Sequence, residues 1–256
     1  MVAIVLQLFT SLAFFGLLRL TGNSFQLHDV GDDVFDRGGE VLKWGTERVA
    51  AAREGAPLPD APALYANIRS IQLGFATTMV HQVLLVVAVF ALVKQRGLRQ
   101  LLGAFRMDAY RFEDLFVPVM AVVAMYSMVV GYTWLVDWLD IDALRPQSTV
   151  PVAVARDNLA LIMAGLLACL MAPLAEEFMF RGVIFGGLLK WGPWPAAALT
   201  SLLFSGAHLN LGSLLPFFLV GMVMAWLYWR RGVLWDSIVF HFFFNATSFV
   251  ALATTR

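Results

Sequence analysis

Long apolar runs with no charge at all constrain this chain more than any other feature. They lie at Val2–Leu18, Ile71–Val93 and Leu115–Val136, and a fourth apolar block runs from Asn158 to the C-terminus. About 20 such residues in helical form cross the hydrocarbon core of a bilayer. Composition agrees: 60% of the 256 residues are hydrophobic, 14% are charged and the mean hydropathy is +0.74. A soluble domain of this size has no interior large enough for that much apolar surface. A soluble enzyme, a disordered protein and a disulfide-stapled secreted domain are excluded. The 18 Lys and Arg match 18 Asp and Glu, so no net field draws nucleic acid, and the single Cys169 excludes an intrachain disulfide.

The runs are continuous rather than alternating, which argues for helices and against an outer-membrane barrel. Three breaks divide the C-terminal block: Lys190-Trp191-Gly192-Pro193, Asn210 to Gly212, and Arg230-Arg231-Gly232. The expected fold is an all-α polytopic membrane protein of seven spans. The last four cover about 158–190, 195–208, 211–229 and 233–253. The count becomes eight if 158–190 is two helices. The run Val2–Leu18 lacks the basic start and small-residue cleavage site of a signal peptide, so it reads as a true first span. Basic residues collect in the loop holding Lys94, Arg96, Arg99, Arg106 and Arg111, and again at Arg230 and Arg231. Seven spans with the N-terminus inside put both loops and Lys190 on the cytoplasmic side. The acidic stretch 137–157 then lies outside, as does the loop 22–69, in which Val34–Glu54 could form an amphipathic surface helix.

Almost every charged residue sits in a loop or at a span end. Glu176, Glu177 and Arg181 do not; apolar sequence flanks them on both sides. A charge at mid-bilayer costs at least about 2.5–3.5 kcal/mol. Glu177 and Arg181, four apart, share a helix face and can pair. Glu176 points about 100° away around the helix and has no local cation, so it needs another reason to be there. Pro173 removes a backbone donor and leaves the Cys169 carbonyl without its usual partner.

Of the four histidines, His28 falls in the outer loop. His81, beside Gln82, reads as an interhelical hydrogen bond. His208 ends the short run from Pro195, and His241 lies inside the last span with Asn245 one turn later. Measured from the cytoplasmic ends at 1.5 Å per residue, Glu176 and Glu177 lie roughly 20 Å deep, His208 roughly 20 Å, and His241 and Asn245 roughly 12–18 Å. Three separate helices therefore bring polar groups to similar depth. A carboxylate and an imidazole at one wet point can activate water, and a second imidazole with an amide can donate to an oxyanion. Neither a G-x-S-x-G elbow nor an H-E-x-x-H zinc motif is present.

Three motifs in order carry a resemblance. Glu176-Glu177-Phe178-Met179-Phe180-Arg181 resembles the E-E-x-x-x-R signature of the CPBP family, the CAAX proteases and bacteriocin-processing (Abi) enzymes that include type II CAAX prenyl endopeptidases. Phe204-Ser205-Gly206-Ala207-His208 is similar to its F-x-x-x-H, and His241-Phe242-Phe243-Phe244-Asn245 to its H-x-x-x-N. The resemblance spans about 158–253 and divides the chain into N-terminal spans (1–157) and a catalytic helical core (158–256). It implies a glutamate-type intramembrane endopeptidase with no required metal or cofactor. By that implication Glu176 activates water with help from His208, His241 and Asn245 stabilise the oxyanion, and Glu177 and Arg181 support the site. The substrate would be a peptide or membrane protein, including a prenylated C-terminus, reached in the bilayer; short loops favour a bacterial inner membrane. Glu177 remains an alternative base. A zinc protease using Glu, His and His is a second reading, a non-catalytic immunity or scaffold protein of the same fold a third, and a proton-coupled transporter a fourth.

Overall fold

The computed structural model describes residues 68–255, apart from 94–96, 142–143, 147–149, 151, 209 and 211, together with parts of 43–59. The first span expected at Val2–Leu18, His28 and most of the loop 22–69 lie outside the described residues. The part of Val34–Glu54 that is described, within 43–54, is helical, and Trp44 donates from Nε1 to the Pro59 carbonyl at 2.9 Å.

Among the described residues there is no β-strand. The helices are α1 (Ile68–Val93), α2 (Leu98–Ala104), α3 (Phe116–Trp138), α4 (Asn158–Trp191), α5 (Pro193–Ala207), α6 (Leu214–Arg231) and α7 (Trp235–Ala253). Four stretches are long and apolar enough to cross a membrane: Ile71–Val93, Phe112–Trp138, Asn158–Trp191 and Trp235–Ala253. The run 158–191 is one unbroken helix of 34 residues and does not divide into two. With 15 residues, α5 is about 22 Å long, well short of a bilayer. It ends at His208, which is how that histidine comes to lie inside the fold.

The described residues between α5 and α6, His208, Asn210, Gly212 and Ser213, are therefore irregular backbone. Such backbone survives at membrane depth only where protein groups satisfy it. They do so here. Ser205 donates its hydroxyl to the Leu214 carbonyl, Asn210 Oδ1 accepts from the Ser213 N–H at 3.1 Å, and Tyr132 donates to the carbonyls of Gly212 (3.2 Å) and Leu144 (3.0 Å). Gly212 permits this closure, because a Cβ there would collide with the Arg145 carbonyl oxygen. Packing of α5 on α6 also needs close approach: a Cβ at Gly221 would meet the Ser201 side chain at 2.8 Å.

Two apolar clusters hold the site helix. On one side Leu85 and Val89 of α1 pack with Ala175, Phe178 and Met179 of α4. On the other, Phe180 of α4 packs with Phe204, Val220, Met224, Phe240 and Phe244. The outer faces stay apolar and exposed, as lipid contact requires; on α3 these are Val123, Val130, Trp134 and Trp138. At the end of the bundle where α6 meets α7, Arg231 pairs with Asp114 (2.7 Å) and with the fully buried Asp236 (3.3 Å), and Arg230 also reaches Asp236 (3.2 Å).

Asp157 caps α4. Its Oδ1 accepts from the Ala160 N–H at 2.7 Å and from Gln72 Nε2 of α1 at 2.9 Å, and these bonds, the backbone one first, hold its carboxyl below the usual carboxylate range. A carboxyl lowered by folding stabilises above its unfolded value of about 3.9 and loses that contribution as pH falls through the folded value. Thermal unfolding in detergent should show Asp157→Ala less stable than the wild type at pH 7. The gap should close as the pH is lowered below about 4.

Candidate active site

The site is built on a distortion of α4. The stretches Leu167–Met171 and Phe178–Phe185 are π-helical, so hydrogen bonds there run to the fifth residue instead of the fourth. The Ala172 N–H bonds to the Leu167 carbonyl. The Ala168 carbonyl thus loses its α-helical donor, and the residue five ahead is Pro173, which has no N–H. Asn245 of α7 fills the gap, donating from Nδ2 to the Ala168 carbonyl at 2.8 Å. The sequence places the orphan at Cys169; the π register moves it one residue back and gives it a partner on another helix. One Asn245 N–H is used in this bond, and an amide nitrogen carries two.

Glu177 follows Pro173 by one helical turn and is fully buried. Its Oε1 accepts from Arg181 Nη1 at 2.8 Å, the i, i+4 pair expected from the spacing, and from His241 Nδ1 at 3.0 Å. Arg181 is also fully buried. It donates from Nη2 to the Gly221 carbonyl at 3.2 Å, and its guanidinium lies 4.7 Å from the Phe204 ring centre. The carboxylate therefore ties α4 to α7 directly and to α5 and α6 through Arg181. Because Nδ1 of His241 is engaged, Nε2 is the nitrogen left for the cavity.

His208 is oriented in the same way. Its Nδ1–H donates to the Phe204 carbonyl one turn earlier, at 2.8 Å, which leaves Nε2 with the lone pair in a neutral ring. Phe204 stands between the two histidines, edge-on to both, with ring centres 4.8 Å from His208 and 5.8 Å from His241. It fixes the spacing of the imidazoles and covers Arg181. His208, His241 and Asn245 line one partly open cavity of about 190 Å³, walled by Phe204, Phe217 and Phe244. Tyr126 of α3 braces its α7 wall by donating to the Phe244 carbonyl at 2.7 Å.

Glu176 does not line that cavity. It is half-buried and faces α1, where Gln82 donates from Nε2 to its Oε1 at 3.2 Å. The structure thus gathers His208, His241 and Asn245 on one cavity, places Glu177 and Arg181 behind His241, and sets Glu176 one residue away toward Gln82. Reading by sequence assigns Gln82 no part in the site; its position in the middle of an uncharged span is the signal that could have raised it. Among the described residues no group of three or more His, Cys, Asp or Glu side chains is close enough to hold a metal ion.

Residues 158–247 match the family model described as type II CAAX prenyl endopeptidase Rce1-like. This segment is Rce1-like. The match begins at the first residue of α4 and takes in all three motifs through Asn245, in agreement with the CPBP resemblance. A protein of Escherichia coli described as an uncharacterized 24.3 kDa protein is 38% identical over 78 residues, which is 28% of this chain. The chain spans only 36% of that curated relative's length. No solved structure matches. The apolar helices suit an integral membrane protein, and the family that residues 158–247 match is by its description one of endopeptidases.

Arg181 should be the charge the fold tolerates losing least. Arg181→Met leaves Glu177 buried without its cation, which costs about 3–5 kcal/mol. Thermal unfolding should show a large loss for this variant and a smaller one for Arg181→Met combined with Glu177→Gln, where no charge is stranded.

Proposed function

We propose that this chain is an intramembrane endopeptidase in which Glu176 activates water to hydrolyse a peptide bond. The observation that carries the assignment is the difference between two adjacent carboxylates. Glu177 is fully buried and shares one oxygen between a guanidinium and an imidazole. Both of these bonds hold its carboxylate against α4 and α7, away from the cavity. Glu176 is half-buried and bonded to a neutral amide, so it is the carboxylate available for proton transfer.

In this reading Glu176, which lies beside the cavity and not on its wall, keeps Oε1 on Gln82 and uses Oε2 to take a proton from water as the oxygen attacks the scissile carbonyl carbon. His208 holds that water through Nε2. The carbonyl oxygen becomes an oxyanion and accepts hydrogen bonds from the second Asn245 N–H and from Nε2–H of His241, a donor when that ring is charged against Glu177. The tetrahedral intermediate collapses, the C–N bond breaks, and the proton on Glu176 passes to the leaving amine. Glu177 and Arg181 hold His241 and touch no reacting atom. The chemistry needs no nucleophilic side chain and no metal. Residues 158–256 form the catalytic core in this account, with the described helices of 68–157 packed beside it.

The substrate is a membrane-bound peptide or protein, of which a prenylated CAAX C-terminus is the kind that the Rce1-like match suggests. With the N-terminus inside and a bacterial inner membrane as host, the end holding Arg230 and Arg231 is cytoplasmic.

The test is cleavage of a quenched fluorescent peptide ending in a farnesylated CAAX sequence, beside its unprenylated twin, by protein reconstituted in vesicles. Glu176→Gln should lower kcat at least about a hundredfold and leave the unfolding temperature unchanged. Glu177→Gln should lower the unfolding temperature. Full activity in Glu176→Gln overturns the assignment of Glu176 as the base; a variant that cleaves neither peptide yet still performs the protein's cellular role makes a non-catalytic membrane factor the better reading.

A further inference from the structure

We propose that Gln82 of α1 is the positioning residue for Glu176, so that the part of the chain before the Rce1-like segment completes the site. The inference rests on the protease reading above. Gln82 is 5% exposed in the middle of an uncharged span, and its amide reaches Glu176 Oε1 at 3.2 Å across 94 residues of sequence. Leu85 and Val89, farther along α1, pack against Ala175, Phe178 and Met179 on either side of the two glutamates. The backbone that carries Gln82 is thereby fixed against the turn that carries Glu176.

A glutamine suits a base better than a cation does. During the reaction Glu176 alternates between a carboxylate, which only accepts hydrogen bonds, and a carboxylic acid, which also donates one. Arginine can serve only the first state, and it is the partner given to Glu177. The carboxamide of Gln82 can serve both. Its Nε2–H₂ donates to the carboxylate as observed. Its Oε1 is buried and finds no hydrogen-bond partner among the described residues. Half a turn about the terminal torsion, which is broad and roughly two-fold, would offer that oxygen to the Glu176 O–H. The two carboxylates are thus set apart by their partners: one tied to a guanidinium and an imidazole, one free to carry a proton from water to the leaving amine.

The proposal separates positioning from packing through Gln82→Met, which keeps the length and bulk of the side chain but not the amide. With the farnesylated CAAX peptide, Gln82→Met should lower kcat about tenfold, with KM within about twofold of the wild type, because Gln82 lies outside the substrate cavity. Gln82→Glu should lower kcat at least as far, since it sets a second carboxylate against Glu176. In the Glu176→Gln background, Gln82→Met should remove little further activity. Wild-type kcat in Gln82→Met, or a change confined to KM, overturns the proposal. Activity retained in Glu176→Gln overturns the assignment of Glu176 as the base instead, and cleavage of neither peptide by the wild type overturns the protease reading. Where the wild type cleaves neither peptide, a thermal-unfolding cycle of Gln82→Met and Glu176→Met, each of which removes the contact, still decides it: coupled effects support it and additive effects overturn it.

Discussion

Everything at the centre of this protein depends on one buried carboxylate. Glu177 has no access to solvent, and leaving it charged there without partners would cost several kcal/mol. The helices are arranged to prevent that. Arg181 lies one turn along the same helix, His241 arrives from α7, and Arg181 in turn is held by the Gly221 carbonyl and by the face of Phe204. The absence of a side chain at Gly221 is what lets α6 come close to Ser201 and α5. A single ion pair therefore sets where four helices meet, and the imidazole that faces the cavity is one of its members.

The backbone is distorted where the chemistry is proposed. A π stretch and Pro173 together strip the Ala168 carbonyl of its donor, and Asn245 replaces it from across the helix interface. A similar substitution occurs where α5 stops inside the fold: hydroxyls of Ser205 and Tyr132 and the Asn210 side chain satisfy the groups that a helix would have paired. In an apolar setting each such repair requires a polar side chain in an otherwise oily segment. The polar residues of these spans thus divide into those that mend the backbone and those free to act, and Asn245 does the first while keeping one N–H for the second.

Much of this was legible in the sequence, for identifiable reasons. Uncharged runs give the long helices because no loop could use them. The spacing of Glu177 and Arg181 gives their pairing, since four residues along a helix return to the same face. Depth along each span places His208, His241 and Asn245 at one level, and they do line one cavity. What stayed hidden is long-range or depends on register. Contact between Gln82 and Glu176 joins residues with no pattern between them. The π stretches cannot be read from composition, and they move the orphan carbonyl from Cys169 to Ala168. The 34-residue helix looked overlong for one span, although it is unbroken.

The central claim is the division of labour between Glu176 and Glu177, and its most direct measurement is an experimental structure of the Glu176→Gln variant with an uncleaved peptide bound. The account predicts the scissile carbonyl oxygen within hydrogen-bond reach of Asn245 Nδ2 and His241 Nε2. It places the residue 176 carboxamide beside the carbonyl carbon and leaves Glu177 on Arg181. A peptide seated away from His241 and Asn245, or a Glu177 that has left Arg181 to face the scissile bond, would contradict it.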